Sequence, residues 1–412
     1  MLTKGKQNNR KFFKYPRLAP LWMAVFIDII GFSMLLPLSP YIAEQFTIPI
    51  SVMGLVLSVN AMFSFIFGPI LGKLSDKYGR KPLLLISQFG TCIGFLILGL
   101  SNSIWMIIIS RIVDGIFGGN FPIAKAIIGD EVPPRDRGIQ MANVGVAHVL
   151  ASLIGPGMGG ILFSIGGILL PGLFASGISI FTMILTIFVL KETWPKSKRE
   201  MNHKMKSEIV IKLRKNKNAI WYLTLWGFHT ASFMILMSSL SFFGYLVFGL
   251  GPLDIGVLMM ISGIFRAIIR FTLFKPTLKK LGENNAIKVG LIIFFISFLI
   301  IAFSVDIIMF LIIIMFVSFA ASLTRGPLNS KISQSVSPME QGKINGYSSG
   351  LDSFAQIIGP LLGTFMLEFF PPFYLSFLIG SIALVPFLMG FKTIELKKYA
   401  ISKHTQQKSP EK

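Results

Sequence analysis

The sequence predicts an all-α integral membrane protein with twelve transmembrane helices, arranged as two pseudo-symmetric six-helix bundles around a central cavity. Three observations lead to this fold. Of 412 residues, 53% are hydrophobic and only 14% are charged, whereas a soluble globular protein carries about 25% charged residues. Twelve apolar runs each have the length of a membrane span, about 20 residues. Short motifs of the first half also recur in the second half at one common offset.

The apolar runs predict the twelve helices in chain order, with tight turns at Ser101-Asn102 and Gly166-Gly167 where two runs nearly merge. The first run is too long for a signal peptide, so we expect it to stay as the first span. The only cysteine, Cys92, lies in an apolar run, which excludes an internal disulfide. The predicted spans are 18–43, 51–71, 83–101, 103–125, 139–164, 167–190, 219–247, 253–274, 284–303, 305–329, 343–367 and 371–391.

Among the loops that connect the predicted spans, only every second one contains lysine or arginine. This distribution predicts the orientation of the protein in the membrane. The intervening loops, near residues 44–50, 102, 166, 250, 306 and 369, contain neither residue. The positive-inside rule makes the basic side cytoplasmic, with both termini there. The net charge of +21 is then explained by the membrane topology and would attract anionic lipid headgroups. It does not indicate nucleic-acid binding, because the charges are spread over many short loops. The basic segments are Lys4–Arg17, 72–82, Arg135 with Arg137, 191–217, Lys275–Lys288, Arg325–Lys343 and the tail from Lys392.

The chain contains an internal repeat. Ile154-Gly155-Pro156 recurs 204 positions later as Ile358-Gly359-Pro360, and Pro134-x-Asp136-x-Gly138 recurs at the same offset as Pro338-x-Glu340-x-Gly342. Parallel six-span repeats are typical of transporters whose central site opens alternately to each side. The predicted parts are a first half (1–190), a cytoplasmic linker (191–218), a second half (219–392) and a cytoplasmic tail (393–412).

The linker sequence allows two interpretations. Between its many basic residues it carries Ile209, Val210, Ile211 and Leu213. These residues would suit an amphipathic helix on the membrane surface, and a flexible cytoplasmic linker remains an equal alternative.

The segment Gly72-Lys-Leu-Ser-Asp-Lys-Tyr-Gly-Arg-Lys-Pro82 is a short charged connector between two predicted spans, with Asp76 four residues before Arg80. It resembles the signature loop between helices two and three of the major facilitator superfamily. Asp28-x-x-Gly31 with Pro37 and Pro40 resembles the helix-one motif of the twelve-span drug:proton antiporter branch. Together with two further motifs in the same order and spacing, the similarity covers nearly the whole chain.

The two further motifs lie in the fourth and fifth spans. Arg111-x-x-Asp114-Gly115, followed by Gly119-Asn120, resembles the helix-four motif in the form of tetracycline-resistance-type exporters. Ala151-x-x-x-Gly155-Pro156-x-x-Gly159-Gly160 resembles the helix-five antiporter motif, with Ala151 in place of the usual first glycine.

The resemblance implies a cytoplasmic gate. Asp76 would latch the two halves in the outward-facing state, and Arg80 would pair with Asp130. The alternative is a stop-and-turn signal whose charges are solvated. In the second half Lys279 stands where Asp76 would map, so the latch is asymmetric. The candidate gate residues are Gly72, Asp76, Gly79, Arg80 and Asp130.

In the fifth span, small residues four apart would allow close approach of helices in lipid, and the proline would bend the helix. The resemblance favours a leak-tight seam between the halves, and ordinary helix packing is the alternative. The candidate seam residues are Gly155, Pro156, Gly159 and Gly160.

Charges inside spans are costly and therefore mark function. We expect a proton-coupling or central-cavity layer of Asp28, Arg111, Asp114, His148, Arg266 and Asp352. Asp28 is the first choice for the proton carrier, because its own helix offers no basic partner within one turn.

Two pairs in this layer each allow two interpretations. Arg111 and Asp114, three apart, form either a self-satisfied ion pair or a site in which the arginine tunes a proton-carrying acid. His148 lies two turns before Gly155 and 204 positions before Asp352. It could form a second proton-linked pair with Arg266, and a structural hydrogen bond is an equal alternative.

The sequence therefore predicts a monomeric secondary transporter in the plasma membrane, a proton-coupled exporter of small organic compounds that needs no cofactor or metal. A facilitator or proton symporter that imports a metabolite is the alternative on the same fold. A non-transporting sensor would need an added soluble domain. The chain has no P-loop, no His-x-x-x-His pair and only four His with one Cys, which argues against an enzyme.

Overall fold

The computed structural model describes residues 15–195, 197, 216–336 and 340–391. In these residues, 12 helices are long and apolar enough to cross a membrane, which makes the chain a multi-pass membrane protein. The helices are α1 Ala19–Gln45, α2 Ile50–Tyr78, α3 Arg80–Gly99, α4a Ile104–Phe117 and α4b Asn120–Glu131, α5 Pro134–Gly166, α6 Leu169–Val189, α7 Lys217–Phe248, α8 Pro252–Thr272, α9 Phe274–Ile301, α10 Ile307–Gln334, α11 Gln341–Phe369 and α12 Phe373–Phe391.

Several helix ends are set by local caps. The side chains of Asn216 and Asp306 accept hydrogen bonds from backbone N–H groups in the first turns of α7 and α10, at 3.0 and 2.7 Å. Such caps satisfy amides that have no partner inside the helix. Gly249 ends α7 in a left-handed conformation, which glycine adopts without steric cost.

The predicted fold is confirmed: helices α1–α6 and α7–α12 form two pseudo-symmetric bundles. The bundles meet mainly where α5 packs on α8 and α2 packs on α11, with smaller contacts of α1 with α7 and α8. Below, the basic end is the end of the molecule that holds Gly79 and Gly282, and the neutral end is the opposite end.

The buried core shows where the two bundles join. One apolar cluster contains side chains from both, including Leu38, Met53, Phe242 and Ile255, and it lies toward the neutral end. At the basic end each bundle has its own separate cluster, one around Ile127 and one around Leu328. The bundles therefore share a core at the neutral end only.

The predicted connector 72–82 is shorter in the structure than the sequence suggested. Helix α2 continues to Tyr78 and α3 begins at Arg80, so Gly79 alone (φ 113°, ψ 152°) forms the turn. Charged residues can end a spanning helix because their side chains reach the polar boundary. Gly282 in the second half has similar angles (φ 74°, ψ 166°). The repeat is thus preserved in the backbone at these two turns.

The fourth span is broken, which the apolar pattern did not predict. Helix α4a ends at Phe117 and α4b starts at Asn120. The hydroxyl of Ser87 in α3 stabilises the break, because it donates to the Phe117 carbonyl and accepts from the Gly119 amide. A Cβ on Gly119 would lie 2.6 Å from Leu71, so the break depends on a small residue.

Two predictions lie outside the described residues. They are the amphipathic stretch at Ile209–Leu213 and the tail 393–412. The division of the chain into 1–190, 191–218, 219–392 and 393–412 stays a prediction.

We expect Gly79→Ala to lower the free energy of unfolding by about 1–3 kcal/mol, because a Cβ is strained at these backbone angles. The control is Gly129→Ala, which lies within α4b, where a Cβ would meet nothing within 4 Å. Thermal unfolding of the purified protein in detergent compares the two variants. Equal stability of both would contradict the strained turn.

Candidate transport site and gates

The two bundles are held together mainly toward the neutral end. Hydrogen bonds join the two bundles from the neutral end to mid-membrane: the Tyr41 hydroxyl donates to the Leu250 carbonyl, the Ser51 amide to Glu368 at 2.6 Å, and the Ser58 hydroxyl to the Ile357 carbonyl at 2.6 Å. Toward the basic end, the glycines of α2, α5 and α11 have open space beside them. A Cβ would meet nothing within 4 Å at Gly72, Gly138, Gly145, Gly346 and Gly350.

The predicted seam residues divide between two interfaces. A Cβ on Gly155 would lie 2.0 Å from Ser33 Oγ, and one on Gly159 would lie 2.4 Å from the Met34 carbonyl oxygen, both in α1. These glycines therefore pack within the first bundle, where the sequence suggested a contact between halves. Gly160 does face the second bundle, with its Cβ position 2.6 Å from the Pro252 carbonyl oxygen of α8.

The partner of this seam on α8 is Gly256, which the sequence analysis missed. A Cβ there would lie 2.6 Å from the carbonyl oxygen of Pro156. Helices α5 and α8 thus touch backbone to backbone at the neutral end. Only residues without side chains allow this distance in a spanning pair.

The same arrangement recurs between α2 and α11. A Cβ on Gly54 would lie 1.9 Å from Thr364 Oγ1 and 2.7 Å from the Pro360 carbonyl oxygen. Gly359 and Gly363 of α11 in turn pack on α7, as Gly155 and Gly159 pack on α1. The repeat therefore extends to the close contacts at the neutral end.

Asp28 is bound by a neutral partner from the broken helix. Asn120, the first residue of α4b, donates from Nδ2 to Asp28 Oδ1 at 2.6 Å. Among the described residues, no lysine or arginine lies within ion-pair distance of Asp28. Its charge, when present, is compensated by a single amide.

Arg111 and Asp114 form the ion pair that the sequence left as one of two alternatives. Arg111 Nη1 lies 3.3 Å from Asp114 Oδ2, and the arginine side chain is 0% exposed. Asn60 of α2 donates to the same oxygen at 2.8 Å. The Arg111 guanidinium also lies 5.2 Å from the Phe95 ring centroid. This carboxylate is thus held by a cation and an amide at once.

Asp352 also has a cation beside it, and the sequence analysis placed that cation wrongly. Arg325 was counted with a basic loop, but it lies within α10, with Nη2 3.3 Å from Asp352 Oδ1. Trp226 donates to the same oxygen at 3.1 Å. Lys125 of α4b, which was also missed, lies within electrostatic range of Asp352 from the first bundle.

His148 and Arg266 lie in different surroundings from those expected. His148 is exposed and lies within electrostatic range of Arg325, so it is not part of the closed seam. Arg266 extends from α8 to α7, with Nη2 3.7 Å from Met237 Sδ and its guanidinium 5.5 Å from the Phe233 ring centroid. Among the described residues no His148–Arg266 hydrogen bond occurs.

The gate residues form a cluster around Arg80 at the basic end of the first bundle. The Arg80 side chain is 8% exposed. Its Nη1 lies 2.7 Å from Asp76 Oδ1, and its Nε lies 2.9 Å from Asp130 Oδ2. Its guanidinium is also 5.4 Å from the Trp194 ring centroid. The backbone amides of Arg80 and Lys81 donate to the Glu192 carboxylate at 3.0 and 3.3 Å. The Asp76 side chain is 57% exposed, and its ion-pair partner is Arg80 of the same bundle.

The second bundle carries a related pair with opposite signs. Glu283, 203 positions after Arg80, follows the Gly282 turn, and its Oε2 lies 3.5 Å from Lys331 Nζ in α10. Ser330 donates to Glu283 Oε1 at 2.9 Å. Each bundle therefore holds an ion pair at the same place, with the acid and the base exchanged.

Comparison with known proteins fits this geometry. The family model described as Major Facilitator Superfamily matches residues 21–346 and, in a second match, residues 272–410. The chain belongs to the major facilitator superfamily. It is therefore a secondary transporter of small molecules rather than an enzyme.

Several relatives of this major facilitator protein are named as resistance proteins. It is 27% identical over 370 residues to the class H tetracycline resistance protein of Pasteurella multocida, covering 86% of this chain and 90% of that one. It is 28% identical over 405 residues to the multidrug resistance protein MdtG of Proteus mirabilis, covering 92% and 96%. The structure of a D-xylose-proton symporter matches with a TM-score of 0.75 at 15% identity, covering 93% and 98%, and shows the shared fold. The predicted resemblance to the drug:proton antiporter branch is confirmed.

We expect Gly160→Ala to open the neutral end of this major facilitator protein. Overpacking costs about 1–3 kcal/mol, so the equilibrium constant for closure at that end should fall at least about fivefold. Labelling of Ser51→Cys, in a Cys92→Ser background, by an impermeant maleimide from the neutral side measures the opening. The control is Gly177→Ala in α6, where a Cβ would meet nothing within 4 Å. Unchanged labelling in Gly160→Ala would contradict the seam.

Proposed function

We propose that this protein is a proton-coupled exporter of small organic compounds that works by alternating access. The observation that carries the proposal is Asp28, a carboxylate in a spanning helix whose described hydrogen-bond partner is the neutral Asn120. Tetracycline and multidrug resistance proteins are among its relatives, and this supports export of drug-like compounds.

The proposed proton carrier follows from how each carboxylate is compensated. Asp114 and Asp352 each have an arginine 3.3 Å away, so losing their charge would remove the anion that compensates a cation in the spanning region. Asp28 has no such partner among the described residues. It can bind a proton without removing the counter-ion of a neighbouring cation.

Helix α4b is the proposed link between Asp28 and the gate. Its first residue, Asn120, binds Asp28, and Asp130 near its other end binds Arg80. The break at Gly118-Gly119 separates this helix from the fixed Arg111–Asp114 pair. Protonation of Asp28 changes what Asn120 binds, and a short rigid helix can carry that change to the Arg80 cluster.

The seam would prevent leakage during the proposed antiport. A transporter that exchanges protons for substrate must not open both ends together, and the backbone contact of α5 with α8 closes the neutral end. Import by a facilitator or proton symporter is not favoured, because the resistance relatives point to efflux. The direction and stoichiometry of coupling belong to the proposal.

The proposal includes a location and surroundings. We place the basic end in the cytoplasm, with both termini there, in the plasma membrane, and we expect a monomer whose basic end contacts anionic headgroups. In this orientation the neutral end, where the two bundles are joined, faces away from the cytoplasm. No nucleic-acid partner is expected. Asp76 would leave Arg80 and latch the halves when the basic end closes.

We expect Asp28→Asn to abolish proton-coupled transport while substrate binding persists. Everted vesicles with an acid interior are given lipophilic cations, tetracycline-like compounds, aromatic acids and common metabolites. Wild type should release protons on addition of a transported compound, and the variant should not, because asparagine cannot bind and release a proton. The measured quantity is internal pH, read with a fluorescent dye.

The control for this experiment is Glu131→Gln, which removes an exposed carboxylate at the end of α4b. It should behave as wild type. Transport at equal rates with and without the gradient, in wild type and Asp28→Asn alike, would contradict proton coupling and leave a facilitator.

A further inference from the structure

Arg266 is a charged side chain for which the described part of the protein provides no anion. It lies within α8, and its guanidinium contacts the sulfur of Met237 at 3.7 Å and the ring of Phe233 at 5.5 Å. Its Nε is buried without a hydrogen-bond partner. Among the described residues, no carboxylate lies within ion-pair distance of it.

The surrounding charges are positive rather than compensating. Arg325 lies over the same Phe233 ring, at 5.7 Å, and it is already paired with Asp352. Arg325 is also in electrostatic range of Arg266 and of the exposed His148. From the first bundle, Lys125 faces Asp352, so this one carboxylate stands among several cations.

An uncompensated cation in a spanning region is costly. The contacts with a thioether and an aromatic face compensate it only partly, because neither carries a full negative charge. A carboxylate or sulfonate bound to Arg266 would supply the missing charge through a strong, charge-assisted hydrogen bond. The partly exposed apolar side chain of Met237 beside it would favour an aromatic or otherwise apolar ligand body.

We propose that Arg266 binds the negative group of the transported substrate, so that small organic acids with an apolar body are a substrate class of this protein. The proposal rests on the transport function proposed above and names its cargo. In this arrangement the acid group pairs with Arg266, and the apolar body lies against Met237. Arg325 remains with Asp352 and is not the anchor.

Binding to purified protein in nanodiscs tests the anchor without a proton gradient. The probes are naphthalene-2-sulfonate, 2-naphthoate and salicylate, each compared with its uncharged amide by calorimetry. We expect at least one acid to bind wild type about tenfold more tightly than its amide, as a charge-assisted hydrogen bond requires. Arg266→Gln should abolish this preference, and Arg266→Lys should keep part of it.

The matched control is Arg135→Gln, which removes an α5 arginine whose side chain is 80% exposed. This variant should keep the full preference for the acid. A second measurement separates binding from folding: without ligand, Arg266→Gln should be as stable to heat as wild type or more so. The acid that binds should raise the unfolding temperature of wild type only.

The proposal is overturned if no acid is preferred to its amide, if Arg266→Gln keeps the preference, or if that variant unfolds at a lower temperature without ligand. The last result would make the arginine a structural cation. A preference for acids that persists when vesicles show no proton coupling would leave the anion site in place and remove the proposed antiport.

Discussion

The backbone contact between α5 and α8 at the neutral end determines how the two bundles meet. Gly160 and Gly256 allow the two helices to touch, and Gly54 allows the same approach of α2 to α11. In lipid, association of helices depends on close packing, since the surrounding chains are as apolar as the side chains. Because this packing occurs at one end only, the bundles share one core there and separate cores at the other end.

Within the spanning region, the charged residues differ mainly in how well each is compensated. Arg111 and Asp114 form an ion pair, and Asn60 donates a further amide hydrogen bond to Asp114. Asp28 has only the amide of Asn120, and Arg266 has a sulfur and a ring. A spanning segment penalises each uncompensated charge. The least compensated groups are therefore the ones that gain most by binding a proton or an anion, which separates structural from functional candidates within one polar layer.

The sequence predicted the twelve helices well because membrane length and apolar composition are properties of single segments. Close approaches depend on which faces meet. For this reason Gly155 and Gly159 were assigned to the contact between halves although they pack on α1, and Gly256 was missed. Arg325 was counted with a basic loop because it lies near the end of a predicted span, and Lys125, the last residue of the predicted span 103–125, was not singled out. Only the structure shows that both residues lie near Asp352. The break before Asn120 depends on the Ser87 hydroxyl of another helix.

The exchanged signs of the two basic-end ion pairs have a consequence for the helix dipoles. In the second bundle, Glu283 follows the Gly282 turn at a helix start and Lys331 lies in the last turn of α10, so each charge faces the dipole end of opposite sign. In the first bundle, Arg80 begins α3 and Asp130 ends α4b, against both dipoles. Each such mismatch costs about 0.3–1 kcal/mol. Glu192 supplies the missing anion at the start of α3, so the cluster around Arg80 depends on the segment that leaves α6.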